Sequence, residues 1–530
     1  MPNENLKEET SYDKVPYGSH AFLQSHPDRL AALGRLFGMS PKPVTQCRVL
    51  ELGCSSAGNL TPMAYQLPKS EFVGIDFSAR QVEMGQAMIR ALNLKNIRIE
   101  HASILDVDKS WGEFDYIIAH GVFSWVSTEV QEKIFAICAA NLAPQGIAYI
   151  SYNTYPGWRM REMLRDMMLY HIRQIKDPRQ QVDQAKALID FLARHVPTEN
   201  NPYGLVLKSE LEIINRSTDW YLFHDHLEEV NDPVYFYQFA ERAGSHGLQY
   251  LGESDFGTML TTNFSQEVKD TLNQLNRNII GIEQYMDFIR NRRFRQTLLC
   301  RNTAPLRRNI GPAAVDDFLL SGAANPEKTP VDLSPGVTCA FRNARGQSIH
   351  TNRPLAKAAL LALREHWPLA LDLDTLLNKT LQKMDADPAL KNIPVQREKA
   401  VLAGDMLQAY TVSIVEFRTW QADFVTRVSE KPKVSDIAAY QNRQGEKSVV
   451  NMRHEQISVD PLTQHLISIL DGTRDRAAML AHLGGLIKSG ALTAHKDNQP
   501  ISDPKDIRDA LSHDVERRLA YLAGSALLVS

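Results

Sequence analysis

The segment VLELGCSSAGNL, residues 49–60, closes a short apolar run at Gly53, passes through small residues and enters helix-forming sequence at about Asn59. Such a turn lets a bound molecule approach backbone amides and the positive end of a helix. Twenty-five residues after Glu51 a second apolar run ends in Asp76. From there a carboxylate can accept hydrogen bonds from both hydroxyls of a ribose. Together the two features specify a nucleoside-containing cofactor; for the loop alone, a strand-to-helix turn that binds nothing is the plainer reading. A dinucleotide fingerprint asks for glycines at 53, 55 and 58, the middle one admitting pyrophosphate to the backbone, yet residue 55 is Ser. S-adenosylmethionine carries no pyrophosphate, so the substitution favours it.

The elements that must position these residues alternate between short apolar bursts and helical stretches, the pattern of a parallel sheet with helices on both faces. Strands are expected at 48–53, 71–76, 97–102, 115–120 and 147–153, and helices at roughly 59–67, 78–92 and 129–142. After Tyr155 the chain turns to long helical segments. Met160, Met163, Leu164, Met167, Met168, Ile172 and Ile175 follow three-and-four spacing, as do Val182, Ala185, Leu188, Ile189, Leu192 and Val196, and both stripes read as core. A Pro-, Gly- and Asn-rich break falls at 302–336. Beyond it VTCAF and SIHT suit a small hairpin, followed by helices near 353–366, 372–385 and 397–427; KPKVSDIAAYQNRQGEKS looks disordered, and an amphipathic helix ends the chain at about 503–527.

At 530 residues the chain exceeds one core, since cores stop growing at about 250–300 residues, so three or four domains are expected. The 59 basic and 62 acidic residues leave a formal charge of -3, which offers no global field for nucleic acid or anionic membrane. Five dispersed cysteines without a CxxC pair indicate neither a disulfide framework nor structural zinc and fit a reducing, cytoplasmic compartment. With no apolar run of about 18 residues and no basic-then-apolar leader, membrane insertion and secretion are not expected.

The motifs ELGC at 51–54, GIDFS at 74–78 and HASILDV at 101–107 resemble class I S-adenosylmethionine-dependent methyltransferases. SYDKVPYGSHAF, HPDRLAALGRLFG, HGVFSWV at 120–126 and SYNTYPGW at 151–158 extend the likeness to bacterial methyltransferases with a methyltransferase regulatory domain. That group includes rickettsial protein lysine methyltransferases acting on outer-membrane proteins. Residues 219–253 and 283–301 resemble the regulatory domain, and LDGTRDR at 470–476 extends the likeness loosely toward the C-terminus. The chain departs from the usual glycine-rich loop at Ser55 and Ala57.

The resemblance implies an α/β class, a Rossmann-like doubly wound and mostly parallel sheet, with a helical regulatory domain; the hairpin and helices after residue 336 suit a winged-helix-like C-terminal region. The expected organisation is a helical lid segment at 1–45, the cofactor-binding core at 46–158, the helical regulatory domain at 159–310, a winged-helix-like domain at 311–430 and a C-terminal helical domain at 431–530. By the family pattern Glu51, Gly53, Cys54, Gly58 and Asn59 surround the methionine part of S-adenosylmethionine, Asp76 the ribose, and Ser103 with Ile104 the adenine, with Phe77, His120 and Tyr17 also at the cofactor. Tyr12 and Tyr17 lie in a segment that reads either as a lid or as an ordinary strap. The donor methyl then points at the ends of strands four and five, where Phe123, Trp125, Tyr152, Tyr155 and Trp158 form aromatic walls, or merely close the core. Asn153 orients an attacking amine, and no residue is singled out as general base.

The expected reaction is transfer of a methyl group to an amine, a protein lysine side chain by resemblance. A small-molecule or carrier-bound acceptor is one alternative, and a catalytically silent scaffold, favoured by the poor glycine content of the loop, is another. The expected partner is a protein substrate, with no nucleic acid and with a homodimer as a candidate assembly. The run RNRRFRQTLLCRNTAPLRR at 290–308 holds seven arginines and no acid; it reads as a helical face salt-bridged to another domain ahead of a site for an acidic partner or nucleic acid. His224 and His226 beside Asp225 and Glu228 lack further spaced ligands, so no metal is expected. Cys54 reads as a small buried side chain.

Overall fold

Strands flanked by helices on both faces are buried on both sides, which is why the bursts after Arg48 are mostly apolar, while the edge strand at 97–101 alternates buried and exposed residues. In the computed structural model, which describes residues 18–261, 264–275, 278–385, 395–493, 495–496, 499–500 and 503–530, they become β1 (Arg48–Leu52), β2 (Glu71–Asp76), β3 (Ile97–His101), β4 (Phe114–Ala119) and β5 (Leu142–Asn153). These five pair in parallel. The helices around them are α1 (Pro27–Leu36), α2 (Leu60–Gln66), α3 (Ala79–Ala91) and α4 (Thr128–Asn141). The order β3-β2-β1-β4-β5 reverses direction at β1, and the crevice beyond the carboxyl ends of β1 and β4 is where such sheets bind ligands.

The sheet does not end at β5. Two strands, β6 (Leu248–Glu253) and β7 (Phe294–Arg301), complete a seven-stranded order β3-β2-β1-β4-β5-β7-β6, with β7 antiparallel to both neighbours. The helical stretch expected at 159–310 thus also contributes two strands, which cover the outer edge of β5 where it would otherwise leave a row of unpaired amides. The helices of that region are α5 (Trp158–Ile172), α6 (Pro178–His195), α7 (Pro202–Arg216), α8 (Asp219–His226), α9 (Phe236–Ser245), α10 (Gln266–Leu275) and α11 (Ile279–Arg290). Leu164, Met168, Ile172, Val182, Ala185 and Ile189 pack in an apolar cluster of their own, while Met160 and Met163 stand exposed.

The arginine run likewise forms a strand over Phe294–Arg301 rather than a helical face, and its central guanidinium, that of Arg295, turns inward. Arg295, fully buried, binds Glu253 at 2.8 Å, Glu283 at 3.0 Å and Asp287 at 2.8 Å, with Phe236 under its plane. Arg292 adds a second cation to Glu253. Arg301 and Arg308 bond to backbone carbonyls of β5 and β6. These arginines are held within the chain, in the regulatory stretch itself.

One apolar cluster runs from α1 and the near face of the sheet into the unit that follows residue 310, joining Leu30, Val49 and Ile147 to Leu320, Leu360 and Phe417. That unit holds β8 (Leu319–Ser321), β9 (Asn325–Pro326), β10 (Cys339–Arg342), β11 (Ser348–Thr351), β12 (Leu371–Asp372) and β13 (Glu416–Arg418), with α12 (Pro354–His366), α13 (Leu373–Asp385) and α14 (Val395–Thr411). The last helix stops at Thr411, short of the expected 427. The C-terminal unit, with its own core, has α15 (Asp436–Arg443), the hairpin β14 (Ser448–Val450) and β15 (Gln456–Ser458), α16 (Pro461–Ile467), α17 (Arg476–Lys488) and α18 (Pro504–Gly524). The stretch that looked disordered by composition thus contains α15, whose N-terminus is capped by Ser435. Among the described residues no helix is long and apolar enough to cross a membrane.

Because Arg295 is the hub of a buried cluster, its removal strands three carboxylates. Arg295→Met should cost about 3–5 kcal/mol of stability, read from denaturant unfolding followed by tryptophan fluorescence; a loss below about 1 kcal/mol would show that the cluster is replaceable by packing.

Candidate functional site

At the end of β1, Gly53 adopts φ +73°, and both its N–H and that of Cys54 donate to the Ile75 carbonyl of β2 at 2.9 Å. Ser55 and Ala57 follow with φ of 50° and 57°. The two residues that stand where glycines are common therefore hold a glycine-like backbone, a left-handed conformation that costs about 1–2 kcal/mol per residue. Asp76 explains how the loop is held: one carboxylate oxygen accepts the Ser55 N–H at 2.7 Å and the other the Ser78 N–H at 2.9 Å.

The segment before α1 closes over this loop. The Gly58 N–H donates to the Ser19 hydroxyl at 2.7 Å, and a Cβ on Gly58 would sit 2.3 Å from the Ser19 carbonyl oxygen, so the close approach demands glycine. Phe22 donates its N–H to the Asn59 side-chain oxygen at 2.9 Å and packs its ring 4.0 Å from that of His120. Of the two tyrosines expected in a lid, both Tyr12 and Tyr17 lie outside the described residues.

Between strap, loop and the ends of β4 and β5 opens a cavity of about 900 Å³. Glu51, Gly53, Cys54, Asn59, Asp76 and Phe77 line one end, with Ser103 and Ile104 beside them. His120, Trp125, Asn153 and Trp158 line its continuation. Glu51 is 3% exposed; Asn59 Nδ2 donates to its Oε1 at 2.7 Å, and its Oε2 has no hydrogen-bond partner. Burial, with help from Asp76 and against the Asn59 hydrogen bond, pushes the Glu51 carboxyl up to about 8. A buried carboxyl oxygen without a donor, in a cavity that also holds Asp76, suits a ligand carrying positive charge and a diol. Burial pushes His120 down to about 4, so its imidazole is neutral at pH 7 and adds no competing cation.

The aromatic wall is smaller than expected. Tyr152 is buried on the opposite face of β5, its hydroxyl 3.1 Å from Thr297 Oγ1 and its ring stacked 4.1 Å from Phe239. Phe123 packs edge-on against Phe135 and Phe239 in the same core. Tyr155 donates its hydroxyl to Glu162 at 2.9 Å and lies under Arg159 rather than on the cavity. What remains is Trp125 against Trp158, ring centres 6.2 Å apart at 82°, with Trp158 Nε1 donating to Asn231 at 2.7 Å. Asn153 is 4% exposed, and its Nδ2 has no partner. The alternation of a strand held the signal: Ser151 and Asn153 share one face of β5, so Tyr152 between them must take the other.

Several lining residues escaped the sequence reading. Phe294 and Gln296 arrive on β7, which pairs Asn153 with Phe294 and Ser151 with Gln296. Arg161, His224, Asp225 and Arg293 come from the regulatory stretch. No local pattern marks them, since their position depends on strands and helices packed across the sheet edge. Among the described residues no group of three or more His, Cys, Asp or Glu is placed to hold a metal.

Family models match three stretches of the chain. Residues 49–146 match a "Methyltransferase domain", 218–301 a "Predicted methyltransferase regulatory domain" and 430–527 a "PKMT, C-terminal winged helix domain". The winged helix thus falls on the C-terminal unit, where a helical domain had been expected, rather than on 311–430. Protein RP789 of Rickettsia prowazekii is 37% identical over 524 residues, spanning 98% of this chain and 93% of that protein. Two solved structures of PKMT2 from Rickettsia typhi, one of them in complex with AdoHcy, are 31% identical; each covers 97% of this chain and 100% of that one, with TM-scores of 0.86 and 0.88. The chain belongs to this family of S-adenosylmethionine-dependent methyltransferases.

For the methyltransferase, the Glu51 carboxyl sets a pH dependence. It is mostly protonated at pH 7 in the free protein, whereas an ammonium brought against it favours the carboxylate, so binding expels a proton below about pH 8. The affinity for S-adenosylhomocysteine, by calorimetric titration, should rise with pH up to about 8 and then level, and Glu51→Gln should flatten the rise; a flat profile in the unaltered protein would place the ammonium elsewhere.

Proposed function

We propose that the chain transfers a methyl group to an amine, the side chain of a lysine in a protein substrate. Glu51, Cys54 and Asn59 hold the methionine part, Asp76 the ribose hydroxyls, and Phe77, Ser103 and Ile104 the adenine. S-adenosylmethionine, when bound, supplies the electrophilic methyl. Its sulfonium end is then directed along the cavity toward His120 and the Trp125–Trp158 pair.

The observation that carries the reading is that the cavity continues past the carboxylate end to two tryptophans and an unpartnered buried amide. The indole faces exclude water and stabilise developing positive charge by roughly 0.5–2 kcal/mol each. The loss of water, not the indole faces, lowers the affinity of an amine for its proton, which it must lose from an ordinary pKa of about 10.4 before it can attack. The Asn153 side-chain carbonyl oxygen accepts an N–H of the amine and so orients its lone pair, and positioning supplies most of the acceleration. The likeness to PKMT2 and to the PKMT winged helix supports a lysine acceptor, and the domains flanking the cavity favour a large one.

Two measurements test this. Asp76→Ala should weaken S-adenosylhomocysteine binding by roughly 1.5–3 kcal/mol; unchanged affinity would remove the ribose assignment. Incubation with methyl-labelled S-adenosylmethionine and a bacterial lysate should place label in protein, recovered as methylated lysine after hydrolysis. Label confined to the low-mass fraction would defeat the protein-lysine reading, and binding without any labelling would favour a silent scaffold.

A further inference from the structure

The tip of the β14–β15 hairpin, in the C-terminal winged helix, is buried against the cofactor loop. Its residue His454, 1% exposed, adopts φ 64°, and the strained backbone aims the imidazole at Asn59, 395 positions earlier in the chain. His454 Nε2 lies 3.0 Å from Asn59 Oδ1. A carbonyl oxygen only accepts, so Nε2 carries the proton and donates. The Phe22 N–H is a second obligate donor to the same oxygen. Two donors on Oδ1 leave the carboxamide one orientation, with Nδ2 turned to Glu51. The tip itself is anchored from the catalytic side, where Gln66 on α2 donates to the Asn451 carbonyl at 3.1 Å, and from the middle unit, where Arg453 donates to the Pro368 carbonyl at 2.8 Å.

We infer that His454 is a positioning residue for the cofactor: donated from the winged helix, its hydrogen bond fixes the Asn59 carboxamide against Glu51 and so couples docking of the C-terminal unit to the strength of cofactor binding. The inference rests on the cofactor's amino end lying at Glu51. The ionisable groups around this relay are Asp76 and Cys54 on the loop side, and His26 and Arg418 behind the imidazole. Burial pushes His454 down to about 3 and His26 well below its ordinary value, so neither imidazole changes charge near pH 7.

In calorimetric titration of the full chain with S-adenosylhomocysteine, His454→Ala should weaken binding about fivefold. His454→Gln, which can present an N–H to the same oxygen, should restore most of it, and the Ala effect should vanish in an Asn59→Ala background. The Asn59 bond holds the Glu51 carboxyl down, so in His454→Ala the pH at which affinity levels should move above that of the unaltered protein. Unaltered affinity in His454→Ala, equal losses in the Ala and Gln variants, or a full additional loss in the Asn59→Ala background would each overturn the inference. If His454→Ala does not fold, His454→Phe, which keeps the ring and removes the donor, takes its place beside His454→Gln. Unchanged binding in Asp76→Ala overturns the placing of the cofactor itself; unchanged binding in His454→Ala beside a weakened Asp76→Ala overturns the relay alone.

Discussion

A buried carboxyl at the end of a parallel strand is the constraint around which this molecule is arranged. Glu51 sits where burial penalises its charge and where Asp76, of the same sign, lies across the loop. Only one of its oxygens is satisfied by the chain. A cationic group entering the cavity removes that penalty, and an anionic one adds to it. The same geometry disfavours a pyrophosphate in a second way. In dinucleotide-binding folds the loop amides face phosphate, whereas here the Ser55 N–H is already bonded to Asp76 and the Gly58 N–H to Ser19. Selectivity for a sulfonium cofactor thus lies in where the loop amides point as much as in which glycines are missing.

Much of this was legible in the sequence because the relevant signals are local. A strand buried on both faces reads as an apolar run whatever lies around it, and the first four strands fall within a residue or so of where the runs placed them. Asp76 was placed by its position at a strand end and Glu51, Ser103 and Asn153 by the resemblance and the strand they follow, and each lines the cavity. The failures share a physical cause, which is that composition carries no direction. An aromatic-rich segment gave Tyr152 and Phe123 to the pocket, although the two-residue period of β5 sends Tyr152 to the far core. An arginine-rich segment suggested an outward helical face, although carboxylates on β6 and α11 turn Arg295 inward. The antiparallel closure by β6 and β7 depends on pairing across more than a hundred residues, and no window of sequence contains it.

The long-range part is also what joins the catalytic crevice to the rest of the chain. Asp28, near the start of α1, accepts from both the backbone N–H and the hydroxyl of Thr419 at 2.7 Å. His26 caps α1 through Nδ1 and stacks on Trp420. The strap, the middle unit and the winged-helix hairpin therefore meet behind Asn59, and the apolar core continues without a break from the sheet past residue 310. Units read as separate along the sequence share the same wall in space, and the contacts between them gather beside the Asn59 that bonds to Glu51.

The chemistry of that junction sets the conditions under which it holds. His26 and His454 stand 5.0 Å apart beside Arg418, so a proton on either imidazole would face a cation without solvent to screen it. Burial first, and Arg418 after it, holds both neutral, and for His454 neutrality is compatible with its role, because a neutral imidazole protonated on Nε2 still donates. The folded chain refuses protons that the unfolded chain accepts below the ordinary value of 6.5, so the stability these groups permit is complete above that value and is lost as the pH falls toward about 3. Glu51 runs the other way, holding a proton up to about 8 that the unfolded chain would release. Near neutral pH, then, His454 is an uncharged donor while Glu51 still awaits a cation, and the relay between them passes through a single amide that cannot ionise, Asn59.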